Sequence, residues 1–536
     1  MKKKILLIFI LLLAFLLRFW QLGYNPPSLD WDEASLGYNA YSLLINGKDE
    51  YGNVWPLSIR SFGDYKPPLY TYLTTFPVAI FDLNEFSTRF ISAFFGTLTV
   101  LVGYFLIKEL FPKRSFLFLV LCSLFFAVSP WHIQFSRIAF EANLGLFFFI
   151  LGLWLFLKGV KSGKIFPFSF VFFVLSLYAY HSPRLVVPLL MIGLTIIFRN
   201  ELRKKILWYI VSLVIFLLMV TPIVKEMKST TGARFGSVTV VNPDEKLGQS
   251  IKELEFDQER GDWLGMLTHN RRIVFGREIL AGYMDHFNFD FLFLNGDAPG
   301  RHHAAGMGML YWFDLSFILI GLMYLLKNRD KGANTLFWWF LVAPAASALT
   351  SGTPHAVRAL LYLPTYQIFA AVGVVETLKF LKIKTIKKIM VITVITGIFL
   401  LNFFYYLHMY WIHTPYEYAQ DWQYGYKQAV EEVGKIENNY GRVIVTYHYD
   451  QPYIYFLFYK KIDPVWYQHN WGGGEIMRFG RSFGKYEFRN IDWEKDRNLP
   501  NTILVGTPGE IPERAEGLIK EIKFPDGSVA FRIVGR

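Results

Sequence analysis

Met1-Lys2-Lys3-Lys4 opens into an unbroken apolar run, Ile5 to Leu17, and the run leaves through Arg18-Phe19-Trp20. This stretch decides how the rest of the chain reads. A basic start before an apolar core is shared with secretory leaders, but no small-x-small cleavage pattern follows. Arginine and aromatic residues follow instead. The run is therefore predicted to remain as a first membrane span with its basic end in the cytoplasm.

Outward from that span the same unit recurs. Apolar runs lie at 5–21, 88–107, 115–132, 142–157, 165–181, 185–198, 206–224, 309–326, 333–350, 359–378 and 389–410. Each approaches the roughly 20 residues that a bilayer crossing needs, so about eleven spans are expected. The fold class predicted is mainly α, a polytopic transmembrane helix bundle. Alternation from a cytoplasmic N-terminus puts five basic loops on one side: Lys108/Lys113/Arg114, Lys158/Lys161/Lys164, Arg199/Arg203/Lys204/Lys205, Lys327/Arg329/Lys331 and Lys379/Lys382/Lys384/Lys387/Lys388. That bias is how orientation is written in a multi-pass protein of the cell membrane.

The opposite, extracytoplasmic side receives a first loop (22–87), a large loop (225–308), short connections near 133–141, 182–184 and 351–358, and a tail (411–536). Residues 1–410 are thus expected to form a membrane domain, and 411–536 a small extracytoplasmic α/β domain. In the tail, Asp421 to Ile436 reads as a helix, 442–446 and 502–505 as strands, and 521–534 as a hairpin turning at Asp526-Gly527. Pro68 to Phe81 reads as an amphipathic piece at the membrane interface. Tyr447, Tyr449, Tyr453 and Trp471 are rings that can stack on sugars, although rings in a folded cap more often fill its core.

Of 536 residues, 53% are hydrophobic and 18% charged, against about 25% charged in soluble domains. The net charge of +12 sits mostly in the short loops, so membrane lipids rather than nucleic acid are the expected partner. The lone cysteine, Cys122, excludes an intrachain disulfide and a Cys-based metal site.

Ionisable residues gather at the extracytoplasmic ends of the spans. Helix ends on one side of a bundle converge, which predicts one shared cavity at the membrane boundary. In Asp30-Trp31-Asp32-Glu33 a carboxylate can serve as general base or simply cap a helix. Lys66, ahead of Pro67-Pro68, suits a phosphate as a point charge or snorkels to the interface. Arg137, Arg184 and Arg358 each end a span, where arginine grips phosphate oxygens or anchors lipid headgroups. Asp64, Arg89, Glu141, His181 and His355 are further candidates for the cavity. His302 and His303, with His286 and an acid from the first loop, raise a divalent metal as a candidate cofactor, although their spacing matches no strong metal signature.

Taken in order, these residues resemble a known group. The basic start, the first span, Asp32-Glu33-Ala34 in the first loop, Lys66-Pro67-Pro68-Leu69, Thr88-Arg89-Phe90-Ile91-Ser92-Ala93 and Ser136-Arg137 resemble the GT-C membrane glycosyltransferases. Within them the chain is similar to the protein O-mannosyltransferase and lipid A aminoarabinose transferase group. The resemblance runs over residues 1–200 by motif and over the remainder by topology. It implies transfer of a sugar, with inversion, from a polyprenyl-phosphate-linked donor to an acceptor protein, lipid or glycan. It also implies Asp32 as base, Glu33 as its positioning partner, Lys66 at the donor phosphate and Arg137 as a further site residue. Tyr65 stands where the aminoarabinose branch carries an acid, with Asp64 one residue earlier, a departure from that branch's metal site. Two other classes fit a bundle with polar ends: a lipid-linked sugar flippase, and an outer-leaflet oligosaccharide ligase or polymerase.

Overall fold

The computed structural model describes residues 2–226, 246–380, 385–470 and 482–536. Every apolar run expected to span contains helix. Among the described residues five helices are long and apolar enough to cross a membrane: Glu85–Leu110, Glu141–Lys161, Ile206–Glu226, Leu360–Phe380 and Ile389–Glu417. Phe116–Ala127 and Pro130–Ser136, bent by 52° at their break, supply a sixth if counted together. The chain is a multi-pass membrane protein, mostly helical, with a small C-terminal sheet.

Four of the expected spans are short as helices. Phe166–Ala179, Pro183–Ile197, Trp312–Lys327 and Lys331–Val342 are shorter helices. A helix of 14 residues rises only about 21 Å, less than the roughly 30 Å of a hydrocarbon core. Their apolar runs continue past the helix ends into irregular backbone. Tyr180, for example, is already extended before Pro183 starts the next helix. Such backbone is tolerated at membrane depth only where protein covers it.

Glycine lets two of these helices touch. A Cβ on Gly321 would stand 1.9 Å from the Phe369 carbonyl oxygen, and one on Gly373 would stand 1.9 Å from that of Phe317. Trp312–Lys327 and Thr365–Phe380 therefore meet backbone to backbone, the arrangement small residues permit in membranes. Cys122 is buried, as expected of an inert thiol.

The first loop is folded. It holds the helix Trp31–Asn46, a hairpin of β1 (Ile59–Ser61) and β2 (Asp64–Lys66), and the helix Leu69–Phe81 where the amphipathic piece was expected. The tail carries a six-stranded sheet built from β3 (Arg442–Val445), β4 (Ser482–Phe483), β5 (Tyr486–Phe488), β6 (Thr502–Gly506), β7 (Leu518–Lys523) and β8 (Val529–Gly535), in the order β4-β5-β3-β6-β8-β7. β3 runs parallel to β5 and β6, while β7 and β8 form the expected hairpin. The tail helix begins at Tyr426, five residues later than expected, because Gly425 (φ 110°) ends the preceding turns.

Loop and tail share one core. Leu29, Ala34, Tyr38 and Ala40 pack with Tyr453, Ile454, Leu457 and Phe458. Tyr455 donates a hydrogen bond to the Leu29 carbonyl, Tyr453 to Glu50, and Tyr38 to the Ile462 carbonyl. Tyr453 is thus a core residue; the Trp471 candidate falls outside the described residues.

Candidate active site

The first acidic cluster divides its labour. Asp30 is the N-cap of Trp31–Asn46: its Oδ1 accepts from the Glu33 amide at 2.8 Å, and Glu33 Oε2 accepts from the Asp30 amide at 3.3 Å. This reciprocal box satisfies two orphan donors of the first turn. Asp32 lies within that turn and points elsewhere, with 31% of its side chain exposed.

The hairpin delivers Lys66 to it. Phe62 and Gly63 both take positive φ (52° and 87°), as a two-residue hairpin turn requires. The register pairs Ile59 with Lys66. Lys66 Nζ then donates to Asp32 Oδ1 at 2.6 Å. Burial pulls the Lys66 ammonium down, but the carboxylates of Asp32, Glu141 and Asp30 outweigh it and leave its pKa above the ordinary value. The pair sits at the boundary between solvent and a buried floor.

That floor holds a second, fully buried ion pair. Arg89 grips Glu33 with both edges, Nε to Oε1 at 2.9 Å and Nη2 to Oε2 at 2.8 Å. The Ala139 amide also donates to Glu33 Oε1, at 2.7 Å. Arg89 spends its remaining reach on the carbonyls of Leu22, Pro26 and Ser28. Glu33 and Arg89 thus fix the helix that carries Asp32 to the span Glu85–Leu110.

Arg137 is likewise turned inward. It donates to the carbonyls of Leu17, Arg18 and Asn25 and to the Tyr410 hydroxyl, and its guanidinium lies 4.9 Å from the Trp411 ring. The guanidinium therefore ties the first span, the 22–29 turn and the last span together, and is not presented to solvent.

The other candidates make local contacts. His181 Nε2 is 3.2 Å from the Tyr65 carbonyl, beside Lys66. Glu141 is close enough to shift Lys66. Asp64 Oδ1 accepts from the Tyr65 amide. Ser182 donates to the Arg358 carbonyl, which joins the Arg184 and Arg358 connections. Arg358 Nη1 in turn donates to Thr350 and to the Ser351 carbonyl, and Arg184 Nε to the Leu177 carbonyl.

The large loop brings in Arg301, one of the ionisable residues that the sequence gathers on the extracytoplasmic side. Arg301 stacks 4.6 Å over the Trp31 ring, its Nε 3.4 Å from Asp30 Oδ2. Burial pushes the Asp30 carboxyl up to about 7; Arg301 opposes this, and Asp32 and Glu33 add to it. The pairing of Arg301 with Asp30 and Trp31 is set by the fold and has no signal in the sequence. His302 and His303 do not meet an acid of the first loop: His302 pairs with Asp297 and His303 with backbone carbonyls.

Solved structures share this fold over most or nearly all of the chain. ArnT from Cupriavidus metallidurans, in its apo state, superimposes with a TM-score of 0.55 at 12% identity over 98% of this chain and 97% of that one. The structure of the same protein bound to undecaprenyl phosphate gives the same values. The chain has a GT-C fold. The GT-C oligosaccharyltransferase of Archaeoglobus fulgidus, tethered with an acceptor peptide, aligns with a TM-score of 0.52 at 12% identity over 99% of this chain and 74% of that one. In its complex with Zn and sulfate the chain spans only 61% of that protein's length, and 85% of its own, at 13% identity and a TM-score of 0.50. A family model described as dolichyl-phosphate-mannose-protein mannosyltransferase matches residues 65–224. That segment of the GT-C fold includes Lys66, Arg89, Arg137, Glu141, His181 and Arg184, and begins after Asp32. No curated protein matches the chain.

Proposed function

We propose that the protein is an integral membrane glycosyltransferase that moves a sugar from a polyprenyl-phosphate-linked donor to an acceptor hydroxyl, with inversion, on the extracytoplasmic face of the cell membrane. The observation that carries this reading is the ion pair of Asp32 and Lys66, partly open to solvent above a buried floor of Glu33 and Arg89. The orientation rests on the basic loops at the opposite end.

In this reading the donor phosphate competes with Asp32 for Lys66. When the ammonium turns to the phosphate, the Asp32 carboxylate loses its counter-ion and gains basicity. It then takes the acceptor proton as the acceptor oxygen bonds to the anomeric carbon. The bond from that carbon to the phosphate oxygen breaks, and its electron pair leaves with the polyprenyl phosphate. Fixed cations aimed at charge that develops on the leaving group are the main electrostatic aid to such a step. Lys66 supplies one, and Arg184 and Arg358 are the further candidates. Glu33, Arg89 and Arg137 hold the frame and touch no substrate.

The experiment is transfer from a radiolabelled polyprenyl-phosphate sugar in proteoliposomes. Asp32→Asn is expected to lower turnover about 10²–10⁴-fold, the range for loss of a positioned general base, while the protein stays folded. Wild-type turnover in this variant would remove Asp32 as the base. Movement of the lipid-linked sugar across the bilayer without transfer would favour the flippase reading.

A further inference from the structure

The large loop and the short connection at 351–358 bring together three side chains with no part in the transfer just described. Asp297, His302 and His355 each offer one ligand atom, and those atoms all lie within 4.8 Å of one another. Asp297 and His302 are buried. Asp297 Oδ2 is satisfied: it accepts from the Ala356 amide at 2.8 Å and is 2.6 Å from His302 Nδ1. Asp297 Oδ1 and His355 Nδ1 are buried atoms with no hydrogen-bond partner among the described residues. Buried polar atoms are nearly always paired, and leaving one unpaired costs about 1–3 kcal/mol. A carboxylate oxygen and an imidazole nitrogen orphaned in the same small cluster can both be satisfied by a single cation.

We propose that Asp297, His302 and His355 bind a divalent transition-metal ion of the zinc class. Two imidazoles and one carboxylate form the nitrogen-oxygen set that suits zinc, whereas magnesium and calcium prefer oxygen ligands alone. Ligand atoms about 2.1 Å from a tetrahedral ion sit about 3.4 Å apart, so a shift of under about 1 Å per side chain closes the set. Three protein ligands leave a fourth position for water. Asp297 also lines a cavity of about 390 Å³ with Asp290 and Asp421, and clefts of one charge sign concentrate counter-ions. The ion would staple the loop ahead of the helix Trp312–Lys327 to the connection that carries His355. This site stands whether or not the protein transfers sugar, because its readout is the metal itself.

The test uses tag-free, full-length protein in detergent, stripped with EDTA, exposed to zinc chloride and dialysed against metal-free buffer. Elemental analysis is expected to find about one zinc per chain in the wild type and less than a fifth of that in Asp297→Asn and in His355→Gln, with magnesium not retained in any of them. Zinc is expected to raise the melting temperature of the wild type and to leave both variants unmoved, since an ion that binds only the folded state stabilises it. A variant that misfolds leaves the wild-type reading intact: stripped wild type that takes up no zinc and shows no thermal shift overturns the site. Stoichiometric zinc in both folded variants overturns it equally.

Discussion

Lys66 Nζ stands 2.6 Å from Asp32 Oδ1, so the two residues expected to serve donor and acceptor are each other's partner before either is bound. Lys66→Ala removes the cation from the phosphate and from Asp32 together. A hydrogen bond to a charged group is worth about 1.5–3 kcal/mol, so the KM for a polyprenyl-phosphate sugar is expected to rise about 10–150-fold. Lys66→Arg keeps the charge and is expected to recover part of that loss. Initial-rate kinetics on the two variants check this, and an unchanged KM in Lys66→Ala would separate Lys66 from the donor.

Glu33 and Arg89 make a buried, two-pronged pair. Removing one member of such a pair costs about 3–5 kcal/mol, because the other charge is left buried and alone. Glu33→Gln is therefore expected to lower the melting temperature and the yield of folded protein sharply. Glu33→Gln with Arg89→Met is expected to be less unstable than the sum of the two single changes. Thermal unfolding of the three variants in detergent reads this directly.

Asp30 gives a pH dependence with a definite sign. Its carboxyl is raised to about 7 in the folded protein, above the value of about 3.9 for an unfolded chain. Between those values the folded state holds a proton that the unfolded state releases. Stability from this group is therefore fully present below about 4 and falls as pH rises toward about 7. Asparagine also caps helices, so Asp30→Asn keeps the cap and removes the titration. The melting temperature of the variant minus that of the wild type is expected to grow from pH 5 to pH 7 and then level off.

Gly373 meets the Phe317 carbonyl where a Cβ has no room. Gly373→Ala is expected to force the two helices apart at a cost of about 1–3 kcal/mol. A lower melting temperature without change in KM is the expected pattern.

Hydropathy and the basic loops made the helices legible because a bilayer imposes one simple rule on every crossing. They overstated helix length, because apolar residues that cover a buried loop look the same as those that face lipid. The tail strands and the Asp526-Gly527 hairpin were also legible, from alternation and turn chemistry. Asp32 and Lys66 could be singled out one by one, but the hairpin turn at Phe62-Gly63 that joins them could not. Arg137 shows the limit most clearly. Its sequence position is equally good for a phosphate, but the carbonyls it meets come from Leu17, Arg18 and Asn25, more than 110 residues earlier in the chain. Asp297 carried no motif and acquires meaning only beside His302 and His355.

The helix bearing Asp32 rests on Tyr455, whose hydroxyl reaches the Leu29 carbonyl across 426 residues of sequence. A ribosome releases that helix well before its support. Contacts between such distant positions close late in folding. A nascent chain halted before the tail emerges would hold its first loop without the tail's half of their shared core.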